Sequence, residues 1–594
     1  MGHEMKSLIG LLRSLFDDLK RLHPEVRGLD RDLYTIEARF KDEGVGFLAN
    51  ALPSFGKSFD RGLADGRLTP PRGFRCGKGS VPLFLKGLLL QVFDTDGTLL
   101  VDPKVDAVKS LRQVFYLYKK LSPSDDLGFR LDRLTKRDFV ATDSECDQPF
   151  DHTKIPLLRI CFSYVLPNLD QFDFLKGKHG PGAVFEGLSS NQKWIELDRG
   201  ISDYDRRLGL VGYDFGYCRD QYPASSKTFD TSEPELSARL VTVPKTHSSL
   251  RTITVEPCLN QFVQQALNSH LRHSIDACGI LRNSLTLRDQ SVNQKLALHG
   301  SLTGKYATID LSKASDLLSL VLVKEAFRSK PRFLEACLLS RSPKVTVDGI
   351  DITLRKFAGM GNACTFPVQS VVFAVIAISA IMAVWGKTHY GAAKRASRLV
   401  HVYGDDIVVH TDYYSSVAEW LSSFGLRLNP LKTFSQGNFR ESCGVDAYRG
   451  KNVSPVYIRH EPQVSSRDAK SIASLVASSN QLWSEGYYEA SEYIRNNIGK
   501  VVSLPIVPSC SPALGWHTRR NATSISRWNR SLHRFEYESY TVSVKNRLDR
   551  LDGYAALDKF FHLRGDEPMD DEEHLERSSI KHKLVLKKRW VPSW

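Results

Sequence analysis

The stretch LVHVYGDDIVVH, residues 399 to 410, decides how this chain is read. β-Branched apolar residues flank Gly404, Asp405 and Asp406 on both sides, which predicts two strands joined by a tight turn that presents two adjacent carboxylates. Like charges so close repel, and no basic residue adjoins them in sequence, so a bound divalent cation is the simplest way to keep both ionised. Gly and Asp are also ordinary turn residues, and a solvated turn explains the tripeptide equally well. Its surroundings must decide.

At 594 residues and 42% hydrophobic, the chain can bury substantial cores and is too long for one ordinary domain. Lys and Arg number 81 against 67 Asp and Glu, a formal charge of +14 and a pI near 9.2, which favours a polyanionic partner, nucleic acid first. The ten cysteines form no CxxC pair, against a zinc site or a disulfide framework. Residues 7 to 22, SLIGLLRSLFDDLKRL, space their apolar positions as an amphipathic helix and not as a secretory leader. Residues 366 to 385, FPVQSVVFAVIAISAIMAVW, are long enough to cross a bilayer, but Pro367, Gln369, Ser370 and Ser379 favour a buried core helix, with no membrane partner.

Three local signals compete with the acidic turn. SFGKS, residues 54 to 58, ends like a phosphate-binding loop, but Ala51 stands where that loop needs its first glycine. QVFDTDGTLLVD, residues 91 to 102, resembles the nucleophile motif of haloacid-dehalogenase-type phosphatases, with Asp94 as nucleophile and Asp96 as acid/base; a solvated turn explains it equally well. HGPGAVFEG, residues 179 to 187, either admits a ligand to the backbone or simply turns the chain.

Around the acidic turn the signals converge. LVTVPKTHSSLRTITVEP reads as two strands about a polar turn and places Lys245 and Arg251 on or near a hairpin, where the two cations could grip a triphosphate. In KYATIDLSKASDLLSLVLVKEAF, residues 305 to 327, a strand is predicted to end at Asp310 and a helix to begin near Ser312, with Ser312 or Ser315 as cap. Three carboxylates on two neighbouring strands can hold two magnesium ions about 3.5 to 4 Å apart for in-line phosphoryl transfer, although a helix cap explains Asp310 alone equally well. GMGNACTFPVQS, residues 359 to 370, brings Asn362, a donor and acceptor suited to a hydroxyl. GLRLNPLKTFSQGNFRESCG, residues 425 to 444, brings Lys432, an acid or an exposed side chain.

Read in order from Val241 to His460, these stretches resemble the RNA-bacteriophage replicases, the leviviral RNA-directed RNA polymerases. The resemblance runs through VTVPK with Arg251 and EP, SVNQ with LALHGS, ATIDLSKASD, MGN with TF, YGDD, KTFS with FRESCG, and VSPVYIRH. The best-known coliphage enzymes carry MGNG and TFELES where this chain has MGNAC and TFPVQS, which marks a divergent member.

The resemblance implies an α+β fold, a polymerase right hand of fingers, palm and thumb with an antiparallel palm sheet and flanking helices. Residues 1–235 would form the N-terminal region and fingers, 236–460 the palm with interleaved fingers elements, and 461–594 the thumb and C-terminal region. Asp310, Asp405 and Asp406 would bind two Mg2+ ions, with Mn2+ as the alternative. Lys245 and Arg251 would bind the incoming ribonucleoside triphosphate, Asp316 and Asn362 its ribose hydroxyls, and Lys432 would pass a proton to pyrophosphate. The implied activity is RNA synthesis on a viral single-stranded RNA template, yielding nascent RNA, in the cytoplasm of the infected bacterial host. The implied partners are host translation elongation factors Tu and Ts and a host ribosomal RNA-binding protein. A non-catalytic RNA-binding protein is the remaining alternative. WHTRRNATSISRWNR, residues 516 to 530, and KHKLVLKKRW near the end interleave aromatic and basic residues as single-stranded RNA contacts or as solvated faces. Ser315, five positions after Asp310, is small enough to admit a ribose 2′-hydroxyl, so a preference for ribonucleotides is expected.

Overall fold

The computed structural model describes residues 2–147, 150–171, 177–180, 182–188, 193–194, 237–465, 468–509, 513–517, 526–545 and 583–592. The chain mixes helices with several small sheets. The aromatic and basic run at 516–530 therefore lies partly outside the described residues, between 518 and 525.

The helix Thr365–Val384 organises the centre, burying every residue from Pro367 to Met382. An apolar surface on all sides of a helix requires partners all round. They come from the helices Ile155–Tyr164, Cys258–Ala277 and Tyr414–Ser423, and from one face of the central sheet. Length and composition alone would let this helix cross a membrane, but here it is the axis of a protein core.

The central sheet runs, in spatial order, Val400–Tyr403, Asp406–His410, Tyr306–Ser312 and Arg427–Leu428, all antiparallel. Ala307, Ile309, Val400, Val402, Ile407 and Val409 alternate toward the helix core, which fixes the register, since a one-residue slip would turn the whole set outward. A second sheet joins the hairpin Ser237–Thr246 and Ser249–Val255 to Lys344–Val347 and Ile350–Thr353.

A second core is built from both ends of the chain. The amphipathic helix Gly2–Leu22 buries Leu8, Leu11, Leu12, Leu15, Phe16 and Leu19, and packs on Tyr488–Gly499. Residues 434 to 458 enter the same core, where the buried Arg112 guanidinium bridges Asp60 and Asp446. SFGKS lies inside the helix Leu52–Asp65, and Gly56 allows close approach to Tyr116: a Cβ there would stand 2.5 Å from its Cζ.

Candidate active site

The turn at 403–406 is a two-residue hairpin in which Tyr403 pairs with Asp406 across Gly404 and Asp405. Gly404 has φ +66, and a Cβ there would lie 2.7 Å from Phe366 Cε2, so glycine is demanded twice. The Gly404 N–H donates to Ser370 Oγ at 3.1 Å, which fastens the turn to the central helix. Asp310 is directly opposite Asp406 on the adjacent strand, and Asp405 stands exposed at the tip. Three carboxylates thus gather at one end of the central sheet.

Desolvation is the main reason why the Asp406 carboxyl is pushed up to about 7, followed by repulsion from Asp405; Asp310 adds to both. Burial likewise raises Asp310, against the pull of Lys432 and a hydrogen bond from Asn429 Nδ2 to Asp310 Oδ2 at 2.8 Å. Asn429 also donates its backbone N–H to the Asp310 carbonyl at 2.9 Å. Lys432 Nζ lies 2.7 Å from Glu441 Oε1 and 3.9 Å from Asp310 Oδ1. Desolvation works against this ammonium, but Glu441 and Asp310 outweigh it and hold its pKa above the ordinary lysine value.

Among the described residues, no three His, Cys, Asp or Glu side chains are gathered closely enough to hold a metal ion as they stand. The ligand set expected from the sequence is therefore adjacent in register but not convergent: Asn429 holds one oxygen of Asp310, and like charges repel where Asp406 faces Asp405 and Asp310. The donor chemistry fits a hard divalent cation, because every candidate ligand is a carboxylate, and carboxyls raised by burial and by one another's charge are what such a cation relieves.

Lys245 and Arg251 fall on the predicted hairpin, with Arg251 opposite Val243 and Lys245 at a bulge between Pro244 and Thr246. Both are exposed. The Lys245 ammonium is lowered chiefly by desolvation, then by Arg251 and Lys432, while Asp310 and Asp405 pull the other way, so this cation lies within the field of the acidic cluster.

The helix predicted from Ser312 begins instead at Leu320, capped by Ser319. The intervening loop passes through Lys313, whose φ of +54 breaks a helix, and Lys313 Nζ is held by Asp138 Oδ1 at 2.6 Å and Thr142 Oγ1 at 2.8 Å. On that loop Asp316 Oδ1 receives Lys356 Nζ at 2.8 Å. Asn362 is buried at the entry to the central helix, where its Oδ1 accepts the Cys364 N–H at 2.8 Å. Among the described residues Asp316 and Asn362 share no hydrogen bond. Gly361, at φ +129, lets this loop pass the Thr254 carbonyl, which a Cβ would meet at 1.9 Å.

Sequence reasoning gave no role to Asn429, Glu441 or Lys356 and read Ser370 only as a polar residue of the buried helix; Glu441 holds Lys432 from within the same stretch, while the other three reach their partners from distant ones. Asn429 had a signal, since an Asn before Pro430 in a turn has a side chain free to reach a neighbouring strand.

The other two competing signals, like SFGKS, go elsewhere. Asp94 Oδ1 accepts the backbone N–H groups of Asp96 and Thr98, both at 2.9 Å, in an exposed turn on the second core. In the glycine-rich 179–187 segment, Glu186 caps Cys258 N–H with both carboxylate oxygens, at 3.1 and 3.0 Å.

Residues 218–472 match the family model described as RNA replicase, beta-chain. Over 239 residues the chain is 38% identical to the RNA-directed RNA polymerase subunit beta of Escherichia virus Qbeta, covering 40% of this chain and 38% of that one. Over 219 residues it is 37% identical to the RNA-directed RNA polymerase beta chain of Escherichia phage MS2, covering 37% of each. These matches span less than half the length of either relative. Among solved structures, the RNA-dependent RNA polymerase of a human picobirnavirus shares 14% identity at a TM-score of 0.33, over 45% of this chain and 55% of that one. The family match takes in the acidic hairpin, its partner strand and the Lys245–Arg251 hairpin.

Proposed function

We propose that this chain, leviviral-replicase-like across its central segment, is a template-dependent RNA polymerase that joins ribonucleoside triphosphates on a single-stranded viral RNA. The observation that carries the reading is the pairing of Asp310 with Asp406 on adjacent strands, with Asp405 at the turn between them and their neighbour. In this reading the central sheet is the palm of a right hand, residues 1–235 supply the N-terminal region and fingers, and 461–594 the thumb and C-terminal region.

Asp310, Asp405 and Asp406 would hold two Mg2+ ions, or Mn2+ in their place. When bound, such ions activate the primer 3′-hydroxyl and offset charge on the transferring phosphoryl group. Lys245 and Arg251 bind the triphosphate, the first as a point charge and the second through its fork. Asp316 and Asn362 address the ribose hydroxyls. Lys432, held protonated beside Asp310, meets the first requirement of a proton donor to pyrophosphate. The same reading expects host elongation factors Tu and Ts, with a ribosomal RNA-binding protein, as partners in the bacterial cytoplasm, and copurification from the host tests that.

The deciding experiment compares Asp405→Asn with Asp94→Asn, supplied with host extract, on RNA extension and on phosphomonoester hydrolysis. The polymerase reading expects extension to be lost only in Asp405→Asn. Mg2+ should also raise the Tm of the unsubstituted chain and not that of Asp405→Asn. Salt-sensitive RNA binding without any extension would instead favour the non-catalytic binding protein.

A further inference from the structure

Lys356 is fully buried, and its ammonium makes one ion pair, to Asp316 Oδ1 at 2.8 Å. The side chain of Asp316 keeps 15% of its surface exposed, so the pair has a dry end and a wet end. The Phe139 ring lies 3.5 Å from Lys356 Nζ and closes the dry end by a cation–π contact. The lysine's own backbone is fixed: its N–H donates to Asp143 Oδ1 at 3.1 Å, and its carbonyl accepts Arg341 Nη2 at 3.2 Å. A buried charge is tolerated only when paired, so an apolar side chain of equal length would be the easier choice for filling this space. What the ammonium adds is direction: it grips Oδ1 of a partly exposed carboxylate, and among the described residues no hydrogen bond to Oδ2 competes with it.

The loop carrying Asp316 is braced from the same helix, Asp125–Ser144, which supplies Phe139 and Asp143 and also holds Lys313 through Asp138 and Thr142. Cys146, just beyond it, donates its thiol to the Asp316 carbonyl at 3.3 Å. Besides the buried Ala314, Leu317 and Leu318 of its own loop, Asp316 is held by residues 138 to 146 and by Lys356, remote in sequence from the acidic turn.

We infer that Lys356 is a positioning residue for sugar selection: it orients the Asp316 carboxylate so that Oδ2 accepts a hydrogen bond from a hydroxyl of the incoming ribose. The inference rests on the polymerase reading above and on its assignment of Asp316. A deoxynucleotide offers one hydroxyl fewer, so the orientation matters to ribonucleotides and little to deoxynucleotides.

The test measures kcat/KM for a ribonucleotide and for the matching deoxynucleotide in the full chain, in Lys356→Met, and in Lys356→Gln, which keeps a donor that fits the slot. Lys356→Met should reduce the ribo-to-deoxy ratio about 10- to 100-fold, the worth of one charge-assisted hydrogen bond, with deoxynucleotide kcat/KM nearly unchanged. Lys356→Gln should fall between Lys356→Met and the unsubstituted chain, and it carries the test if the Met variant does not fold. A merely structural lysine would lower both substrates together; a ratio within about twofold of the unsubstituted chain in folded Lys356→Met, or in Lys356→Gln where the Met variant does not fold, overturns the inference alone. An unsubstituted chain that extends no RNA with host extract present overturns the polymerase reading, and this inference with it.

Discussion

Two acidic turns in this chain look alike in sequence and differ in nearly everything else. Asp94-Thr95-Asp96-Gly97 and Gly404-Asp405-Asp406 each set two carboxylates in a turn with a positive-φ glycine, at +81 for Gly97 and +66 for Gly404. At the first, Asp94 spends its carboxylate on its own backbone, and both acids are exposed. At the second, Asp406 lies opposite Asp310 and is desolvated, and the turn is fastened to a buried helix. A carboxylate that satisfies itself locally has nothing left to offer a ligand. Asp406 accepts the Ser442 hydroxyl at 3.4 Å and a backbone hydrogen bond at Cys443, yet it stays desolvated beside two other carboxylates and so retains that capacity at a cost in stability.

The largest expected effect breaks the comparison outright. Asp405→Asn should cut RNA extension by about 10³-fold or more, the scale of losing a ligand in two-metal catalysis, with the fold intact by circular dichroism. Asp94→Asn should leave extension within about twofold, because an amide oxygen still accepts the two turn N–H groups.

Next come the glycines. Gly404→Ala adds a Cβ 2.7 Å from the Phe366 ring, whereas at Gly97 the nearest atom is the Leu68 carbonyl oxygen at 3.2 Å. Both substitutions should destabilise by about 1–3 kcal/mol through the positive φ. Only Gly404→Ala should also slow extension per folded molecule, by about tenfold, since it moves the turn that carries Asp405. Thermal melts with active-site titration separate the two effects.

A smaller effect should run in the stabilising direction. Asp406 binds its proton more tightly in the folded chain, at about 7, than at its ordinary 3.8. Its contribution to stability is therefore fully present below about pH 4 and is lost as pH rises through 7. With divalent cations chelated, Asp406→Asn should be more stable than the unsubstituted chain at pH 8, by about 1–3 kcal/mol, and equal to it near pH 4. Melting curves across that range check both ends; an Asp406→Asn chain that is less stable at pH 8 would show that the carboxylate is satisfied after all.

The smallest effect probes what holds the second turn. Ser370→Ala removes the acceptor of the Gly404 N–H and should cost about 1 kcal/mol with a modest loss of extension. Among the described residues the first turn is held from outside by backbone bonds, the Leu68 N–H to the Gly97 carbonyl at 2.7 Å and the Ser80 N–H to the Thr95 carbonyl at 3.0 Å, which a side-chain truncation leaves in place.

Local pattern by itself determined the acidic hairpin, the strand ending near Asp310, the Lys245–Arg251 hairpin and the buried helix after Asn362, because each is written in a run of adjacent residues. It left both acidic turns open to the same two readings, since exposure and partnership are not local properties. Only the tertiary structure decided that Asp310 lies across from Asp406, from a strand nearly a hundred residues away. Only it showed that Asp94 turns back on its own backbone, that the helix expected at Ser312 waits until Leu320, and that Lys356 grips Asp316. The physical reason is the same in each case: a side chain's partner is chosen by the packing of distant segments, and a charged group's protonation is set by how much water that packing leaves it.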